Sequence, residues 1–195
     1  MTAETPVAGG TRILAGDDGT NYDNVAVALH WLTALLVLVQ FISGITWDYF
    51  PHATAETMQS LHVSLGVVFT AAVAARLAWR WMPGHQVSSL EVGWMRIASK
   101  GVHYLLYLLL LVQAGLGFAF RWAQGHPVGF FGLFAIPSPL GVVEKATRHT
   151  LHDLHEKAGW LIVIIALGHA LAALYHHYVV KDRVLLRMLP KSGRP

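Results

Sequence analysis

The sequence has no cysteine and few charged residues. Among its 195 residues, the absence of cysteine excludes disulfides, thiolate zinc sites, iron–sulfur clusters and covalently attached c-type haem. Only 13% of the residues are charged, about half of the roughly 25% typical of soluble domains. By contrast, 54% are apolar and the mean hydropathy is +0.47. This composition excludes an ordinary water-soluble globule, and twelve histidines are unusual in so apolar a chain.

Four long uncharged runs predict transmembrane helices. Each has 19 to 23 residues without Asp, Glu, Lys or Arg, enough to cross a hydrocarbon core of roughly 30 Å at about 1.5 Å per residue. We therefore predict an all-α protein, an integral membrane four-helix bundle over residues 23–190 that follows a flexible cytoplasmic tail at 1–22. The predicted helices cover about 24–47, 57–82, 99–122 and 150–180.

Lysine and arginine are distributed unequally between the two sides of this bundle. Four helices place both termini on one side, which we name the inner side, and we name the opposite side the outer side. Ten of the 14 Lys and Arg residues lie on the inner side. The positive-inside rule therefore predicts that both termini are cytoplasmic. This bias accounts for the net charge of +3, and we expect no nucleic-acid partner.

Four histidines fall at two depths in the predicted membrane. His155 and His169 are fourteen residues apart in the fourth helix. At about 100° and 1.5 Å per residue they lie within roughly 40° of the same face and about 21 Å apart. His30 of the first helix shares the inner depth with His169, and His62 of the second helix shares the outer depth with His155. The spacing predicts two stacked histidine pairs.

Facing imidazoles inside a helical bundle are the ligands that hold b-type haem without cysteine. We therefore predict two non-covalent haem b cofactors, with these four histidines as iron ligands. Gly44 follows His30 by fourteen residues, and we expect its lack of a side chain to leave room for a haem at the outer depth. Arg76 follows the second-helix histidine by the same interval, and we expect it to face a propionate of the inner haem. His176 shares a helix face with the inner histidine seven residues before it.

Other interpretations of these polar residues remain open. A transmembrane histidine can simply join helices by hydrogen bonding, and a histidine-lined metal transporter without haem is a further alternative. Paired imidazoles alone leave a tetrahedral zinc site short of ligands. His149 and His152 are rivals of His155 as the outer ligand. We expect Gln40 and Gln113 to join helices, with contact to a quinone as the alternative.

Several segments together resemble the bacterial cytochrome b561 family. These four-helix di-haem proteins are related to the cytochrome b subunits of hydrogenases and formate dehydrogenases. The resemblance covers roughly residues 22–190, and its most specific part is the fourth helix, HEKAGWLIVIIALGHALAALYHHYVVKD at 155–182. The other matching segments are ALHWLTALLV (28–37), LHVSLGVV (61–68), RLAWR (76–80), HYLLY (103–107) and FGLFAIP (131–137).

The resemblance implies a protein of the bacterial cytoplasmic (inner) membrane that moves electrons between two haems and a membrane quinone. It implies the ligand pairs His30–His169 and His62–His155. His103 fits a family position at the start of the third helix, as an alternative inner ligand or a quinone contact. Members of the nearest group are superoxide oxidases that reduce ubiquinone, and the FGLF loop favours that group. The alternative is a membrane-anchor subunit that serves a partner dehydrogenase and is inactive alone. The sequence assigns no catalytic residue.

Overall fold

The fold is a bundle of four long helices with one small hairpin. The computed structural model describes residues 22–83 and 93–189. The helices in these ranges are α1 (Asn24–Thr46), α2 (His52–Trp81), α3 (Trp94–Ala123) and α4 (Lys145–Tyr175). All four are long and apolar enough to cross a membrane, which confirms the predicted all-α membrane bundle. Residues 1–21 of the predicted tail lie outside the described residues.

Three helices begin five residues earlier than hydropathy predicts. The new starting residues are His52, Trp94 and Lys145. Hydropathy detects only the apolar stretch that matches the hydrocarbon core, whereas a helix continues into polar turns beyond it. At the start of α1 the Asp23 carboxylate accepts a hydrogen bond from the backbone N–H of Ala26 at 2.9 Å, which satisfies one of the free N–H groups there.

The perimeter of the bundle is apolar, and the centre of the bundle is closely packed. Leu35, Leu108 and Ile164 are each more than half exposed although they lie mid-helix, as expected for side chains that face lipid. All four helices contribute to one buried cluster, which contains Leu36, Phe69, Ala72, Val73, Leu77, Leu110 and Ile162. On α2, three residues of this cluster, Phe69, Ala72 and Val73, fall between His62 and Arg76 in the chain, so apolar packing separates the two predicted histidine depths.

The long outer connection contains a β-hairpin that the sequence did not predict. Strands β1 (Val128–Phe130) and β2 (Phe134–Ile136) pair antiparallel, and Gly132 in the turn has φ +73°. The hairpin is fastened to α2 because Ser64 accepts a hydrogen bond from the backbone N–H of Phe131 at 3.0 Å. The connection therefore has a fixed position beside α2, two residues along the helix from His62.

Candidate functional site

At the inner depth, polar side chains from all four helices meet. The rings of His30 on α1 and His169 on α4 have centroids 6.5 Å apart, with an interplanar angle of 74°. The His103 ring on α3 lies 5.1 Å from that of His169. Arg76 on α2 places Nη2 2.8 Å from His30 Nδ1, and its guanidinium lies 5.2 Å from the Tyr107 ring centre. We name His30, Arg76, His103 and His169 the inner cluster.

At the outer depth, a second pair of imidazoles faces across the bundle. The rings of His62 on α2 and His155 on α4 have centroids 6.3 Å apart and an interplanar angle of 76°. Ser43 Oγ of α1 lies 2.9 Å from His62 Nδ1, and Gln113 Nε2 of α3 lies 3.3 Å from His155 Nε2. We name Ser43, His62, Gln113 and His155 the outer cluster.

The dimensions of both histidine pairs suit a metal ion held between two rings. A metal–imidazole nitrogen bond is about 2 Å long, so rings on opposite sides of one ion have centroids roughly 6 Å apart. The Gln113 amide nitrogen can only donate, so His155 carries its lone pair on Nε2, the nitrogen that a metal would take in place of this hydrogen bond. Within the described part of the chain, the buried Nδ1–H of His155 has no hydrogen-bond partner. Residues 22–83 and 93–189 hold no group of three or more potential ligands of the kind a tetrahedral zinc site requires.

Two glycines bring helix backbones close to the outer rings. A Cβ added to Gly44 of α1 would lie 3.6 Å from His62 Cε1. One added to Gly117 of α3 would lie 3.2 Å from His155 Cε1, tighter than most real contacts. Any larger side chain at these positions would occupy the space of the rings. From the sequence, Gly117 is equally consistent with plain helix packing and with cofactor clearance, because the face that α3 turns to His155 is known only from the fold.

A hydroxyl beside His62 is placed to prepare the ring for binding a metal. The Ser43 hydroxyl lies 3.0 Å from the carbonyl of Gln40 and 2.9 Å from His62 Nδ1. When its hydrogen goes to the carbonyl, its oxygen accepts the Nδ1–H of His62, and Nε2 keeps a lone pair. A histidine whose Nδ1–H is held in this way presents Nε2 to a metal. Ser43 was missed from sequence, since a serine in an apolar helix carries no distinctive spacing.

His30 carries its proton on the other ring nitrogen, Nε2. A guanidinium has donors only, so His30 Nδ1 accepts the hydrogen bond from Arg76 and the ring proton lies on Nε2. Iron binding through Nε2 would move this proton to Nδ1, and Arg76 would then turn to another acceptor. The carboxylates of a haem are acceptors of the type that guanidinium groups bind best. The inner cluster therefore fits a haem once Arg76 exchanges partners.

The three rival histidines differ in their surroundings. His103 donates its Nδ1–H to the Ser99 carbonyl at 2.6 Å, which leaves Nε2 with a lone pair beside the inner pair. His103 thus stays an alternative inner ligand or quinone contact. His152 packs against Phe120, with ring centroids 5.2 Å apart, and His149 is largely exposed beside Asp153 at 3.5 Å. Neither of these two outer rivals contacts the His62 ring, whose described ring neighbours are Trp47 and His155.

At the inner end of α4, the chain folds back onto His176. The helix continues as a π turn over His176–Val180, and Lys181 adopts a left-handed conformation with φ +60°. This reversal brings Asp182 Oδ2 to 2.5 Å from His176 Nδ1. The other carboxylate oxygen accepts from the backbone N–H of Val184 at 3.0 Å. Asp182 was missed from sequence because only the reversal at Lys181 brings it near a histidine.

The two mid-membrane glutamines join neighbouring helices, as predicted. Gln40 of α1 donates to the carbonyl of His62 on α2 at 3.0 Å, and Gln113 links α3 to α4 through His155. Small residues make room for both amides. A Cβ on Gly66 would lie 3.3 Å from Gln40 Nε2, and one on Gly159 would lie 3.4 Å from Gln113 Nε2. These links hold the histidine-bearing helices in register.

Comparison with known proteins identifies the family. The model of the prokaryotic cytochrome b561 family matches residues 21–191, which include all four helices and the hairpin. The chain belongs to the prokaryotic cytochrome b561 family. It is 32% identical over 181 residues to cytochrome b561 homolog 2 of Escherichia coli strain K12, a match that covers 88% of this chain and 93% of that protein.

The matches to two further relatives cover almost the whole length of those proteins. The probable superoxide oxidase CybB of Yersinia pestis is 29% identical over 174 residues, covering 88% of this chain and 97% of that protein. Cytochrome b562 of Cereibacter sphaeroides is 30% identical over 174 residues, covering 86% of this chain and 94% of that protein. This cytochrome b561 is thus a membrane electron-transfer protein that binds haem b, which confirms the family resemblance and the b-type cofactor predicted from the histidines.

Proposed function

We propose that this cytochrome b561 holds two haems and acts as a superoxide oxidase, oxidising superoxide at the outer side and reducing ubiquinone at the inner side. In the overall reaction two superoxide anions and one quinone take up two protons and yield two dioxygen molecules and one quinol. The observation that carries the proposal is the pair of separate histidine clusters, each with facing imidazole rings. One such cluster would serve a single haem only.

The two ring pairs support the choice of ligands. His30 and His169 would hold the inner haem, and His62 and His155 the outer haem. Bound haem b supplies one-electron redox chemistry. The chain supplies the ring orientation, the clearance at Gly44 and Gly117, and an apolar packed interior between the two clusters. The histidines of α4 are about 21 Å apart along the helix axis, so the two haems together would bridge most of the hydrocarbon core.

A cavity on the outer side supports the choice of a small anion as the electron donor. It has a volume of about 330 Å³ and lies between the outer turns of α2 and the hairpin. Arg121 and His126 provide its basic lining, Glu56 provides an acidic group, and Ser60 and Ser64 come from the helix turns that flank His62. Basic groups in a cleft attract anions and raise the rate of encounter.

Proton-carrying side chains at the inner side support quinone reduction there. His176 is held by Asp182, and His103 lies beside the inner pair. A histidine oriented by a carboxylate is a common means of passing protons to a reacting group. We infer that His176 delivers protons to the quinone and that its partner carboxylate keeps the ring in position. The predicted cytoplasmic location of both termini would place this proton uptake on the cytoplasmic side.

A second candidate function is an electron-carrying anchor for a partner dehydrogenase. The tip of the hairpin favours it, because Leu133 is 77% exposed and Phe134 is 54% exposed. Exposed apolar side chains on a rigid outer hairpin suit the docking of a protein on that side. In this case the chain would be inactive without its partner.

Mixing purified, oxidised cytochrome with superoxide distinguishes the two functions. If the protein is a superoxide oxidase, its b-type absorption changes to the reduced form, and added ubiquinone restores the oxidised form. If superoxide leaves the oxidised spectrum unchanged while dithionite reduces it fully, the superoxide oxidase proposal is wrong and the anchor function is favoured.

A further inference from the structure

The surroundings of the two histidine pairs differ in charge. At the inner cluster a guanidinium, Arg76, contacts His30. At the outer cluster a neutral hydroxyl, Ser43, lies 2.9 Å from His62 Nδ1 and accepts its hydrogen when Nε2 is the iron ligand. We propose that Arg76 and Ser43 together make the inner haem the stronger electron acceptor, so that electrons move from the outer side to the inner side. This inference rests on the two-haem ligation proposed above.

Ser43 lowers the reduction potential of the outer haem. An acceptor on Nδ1–H increases the electron density of the imidazole and makes it a more basic ligand. A more basic ligand favours the ferric state over the ferrous state, and hydrogen bonding to an axial ligand is one of the means by which a protein tunes haem. The Ser43 oxygen is well placed for this because the carbonyl of Gln40, 3.0 Å away, can take its hydrogen.

Arg76 raises the reduction potential of the inner haem. Ferric haem with two neutral imidazoles carries one more positive charge than ferrous haem, so a nearby cation disfavours the ferric state. Among the described residues no carboxylate forms a salt bridge with Arg76, whose neighbours are the ring of His30 and the face of Tyr107. In a partly buried site this charge acts more strongly than in water. If the guanidinium pairs with a haem carboxylate instead, it offsets a negative charge that would favour the ferric state, so the sign of its effect on the potential is the same.

The opposite effects of Ser43 and Arg76 on the two reduction potentials give the direction of electron transfer. An acceptor at His62 and a cation at His30 shift the two potentials apart, with the inner one higher. Electron transfer from the outer cluster to the inner cluster is then downhill. This is the direction that superoxide oxidation at one side and quinone reduction at the other require.

Redox titration of the haem-loaded protein tests the inference. Following the reduced b-type band against potential gives two components in the wild type. In His169→Ala, which keeps only the outer haem, we expect the lower-potential component to remain. Arg76→Gln should lower the higher component and leave the lower one in place, whereas Arg76→Lys, which retains the charge, should stay near the wild type. Ser43→Ala should raise the potential of the lower component and leave the higher one in place. Ser43→Thr, which retains the hydroxyl, should leave both potentials near the wild type.

Arg80 supplies a matched control on the same helix. Its guanidinium lies one turn beyond Arg76, 5.8 Å from the Tyr22 ring, so Arg80→Gln removes a cation without touching His30. We expect it to shift the higher component by less than Arg76→Gln does. The Ser43 variants provide an independent test should Arg76→Gln fail to retain its inner haem.

The possible failures can be told apart. A wild-type protein with a single haem would contradict the proposed function and this inference with it. Two haems with the higher potential at the outer side would overturn the inference alone. So would an Arg76→Gln protein whose higher component is unmoved or raised.

Discussion

Arg76 donates a hydrogen bond to Nδ1 of His30, and this contact joins α2 to α1 at the inner depth at a distance of 2.8 Å. Its outer counterpart is the contact between Ser43 and His62, also between α1 and α2. The same two helices thus orient one imidazole at each depth, once with a cation and once with a neutral acceptor. Arg76 is both a structural link and the charge nearest to the inner pair.

Loss of one inner ligand should remove one haem only. His169→Ala leaves His30 without its facing ring, whereas the outer pair, separated by the packed cluster around Phe69 and Val73, keeps its geometry. We expect the haem content to fall by about half, measured as haem per polypeptide after purification. The matched outer variant, His155→Ala, should lose the other half and leave a spectrally different haem. Loss of both haems in either folded variant would contradict the pairing.

Filling the clearance at Gly117 should exclude the outer haem. Its Cβ would already lie 3.2 Å from the His155 ring, so the additional methyl groups of Gly117→Val would displace the imidazole. We expect loss of the outer haem with the inner haem retained, measured by haem content and by the reduced spectrum. Gly115→Val is the control on the same helix, because a Cβ there meets nothing within 4 Å. Equal haem loss in both variants would show that helix disruption, rather than clearance, is responsible.

The charges of the outer cavity should control the rate of reaction with superoxide in opposite directions. Arg121→Gln removes a cation from the lining and Glu56→Gln removes an anion. We expect the second-order rate constant for reduction by superoxide to fall several-fold in the first variant and to rise in the second, with both effects weakened by salt. Stopped-flow mixing at low and high ionic strength measures this. Rates that do not respond to either substitution would mean that superoxide does not enter by this cavity.

Asp182 should matter for quinone reduction and not for haem binding. Asp182→Asn keeps the size of the side chain but removes the carboxylate that holds His176, so proton delivery to the quinone should slow by about tenfold or more. Quinol formation by the haem-loaded protein in lipid vesicles measures it, with haem content as the check on folding. Asp153→Asn, which alters a carboxylate at the outer side, is the control. Slowing by the same factor in both variants would argue against a role for Asp182.

The sequence carried most of the information on the helices and on the depth of their histidines. Membrane helices must satisfy their backbone hydrogen bonds internally, so uncharged length alone locates α1 to α4. A constant rise and rotation per residue then places His155 and His169 on one face. Helix starts were less accurate, because nothing in hydropathy marks where a helix begins before it enters the hydrocarbon core, whereas the predicted last residues of α1 to α3 agree within one residue.

Contacts that depend on the rotation of one helix against another could not be predicted. Gly117 and Ser43 contact the outer rings only because α3 and α1 turn those faces inward. Asp182 reaches His176 through a single left-handed residue, Lys181. The hairpin at Val128–Ile136 depends on Ser64, which is more than sixty residues away in the chain. Each of these is a property of tertiary packing and leaves no periodic signal in the sequence.

The number of haems per polypeptide tests the central claim most directly. It is measured on the purified wild-type protein by extracting the haem and comparing it with the protein concentration. Two facing imidazole pairs, His30 with His169 and His62 with His155, predict two non-covalent b-type haems per chain. A fully loaded protein with a single haem would contradict the di-haem cytochrome proposed here.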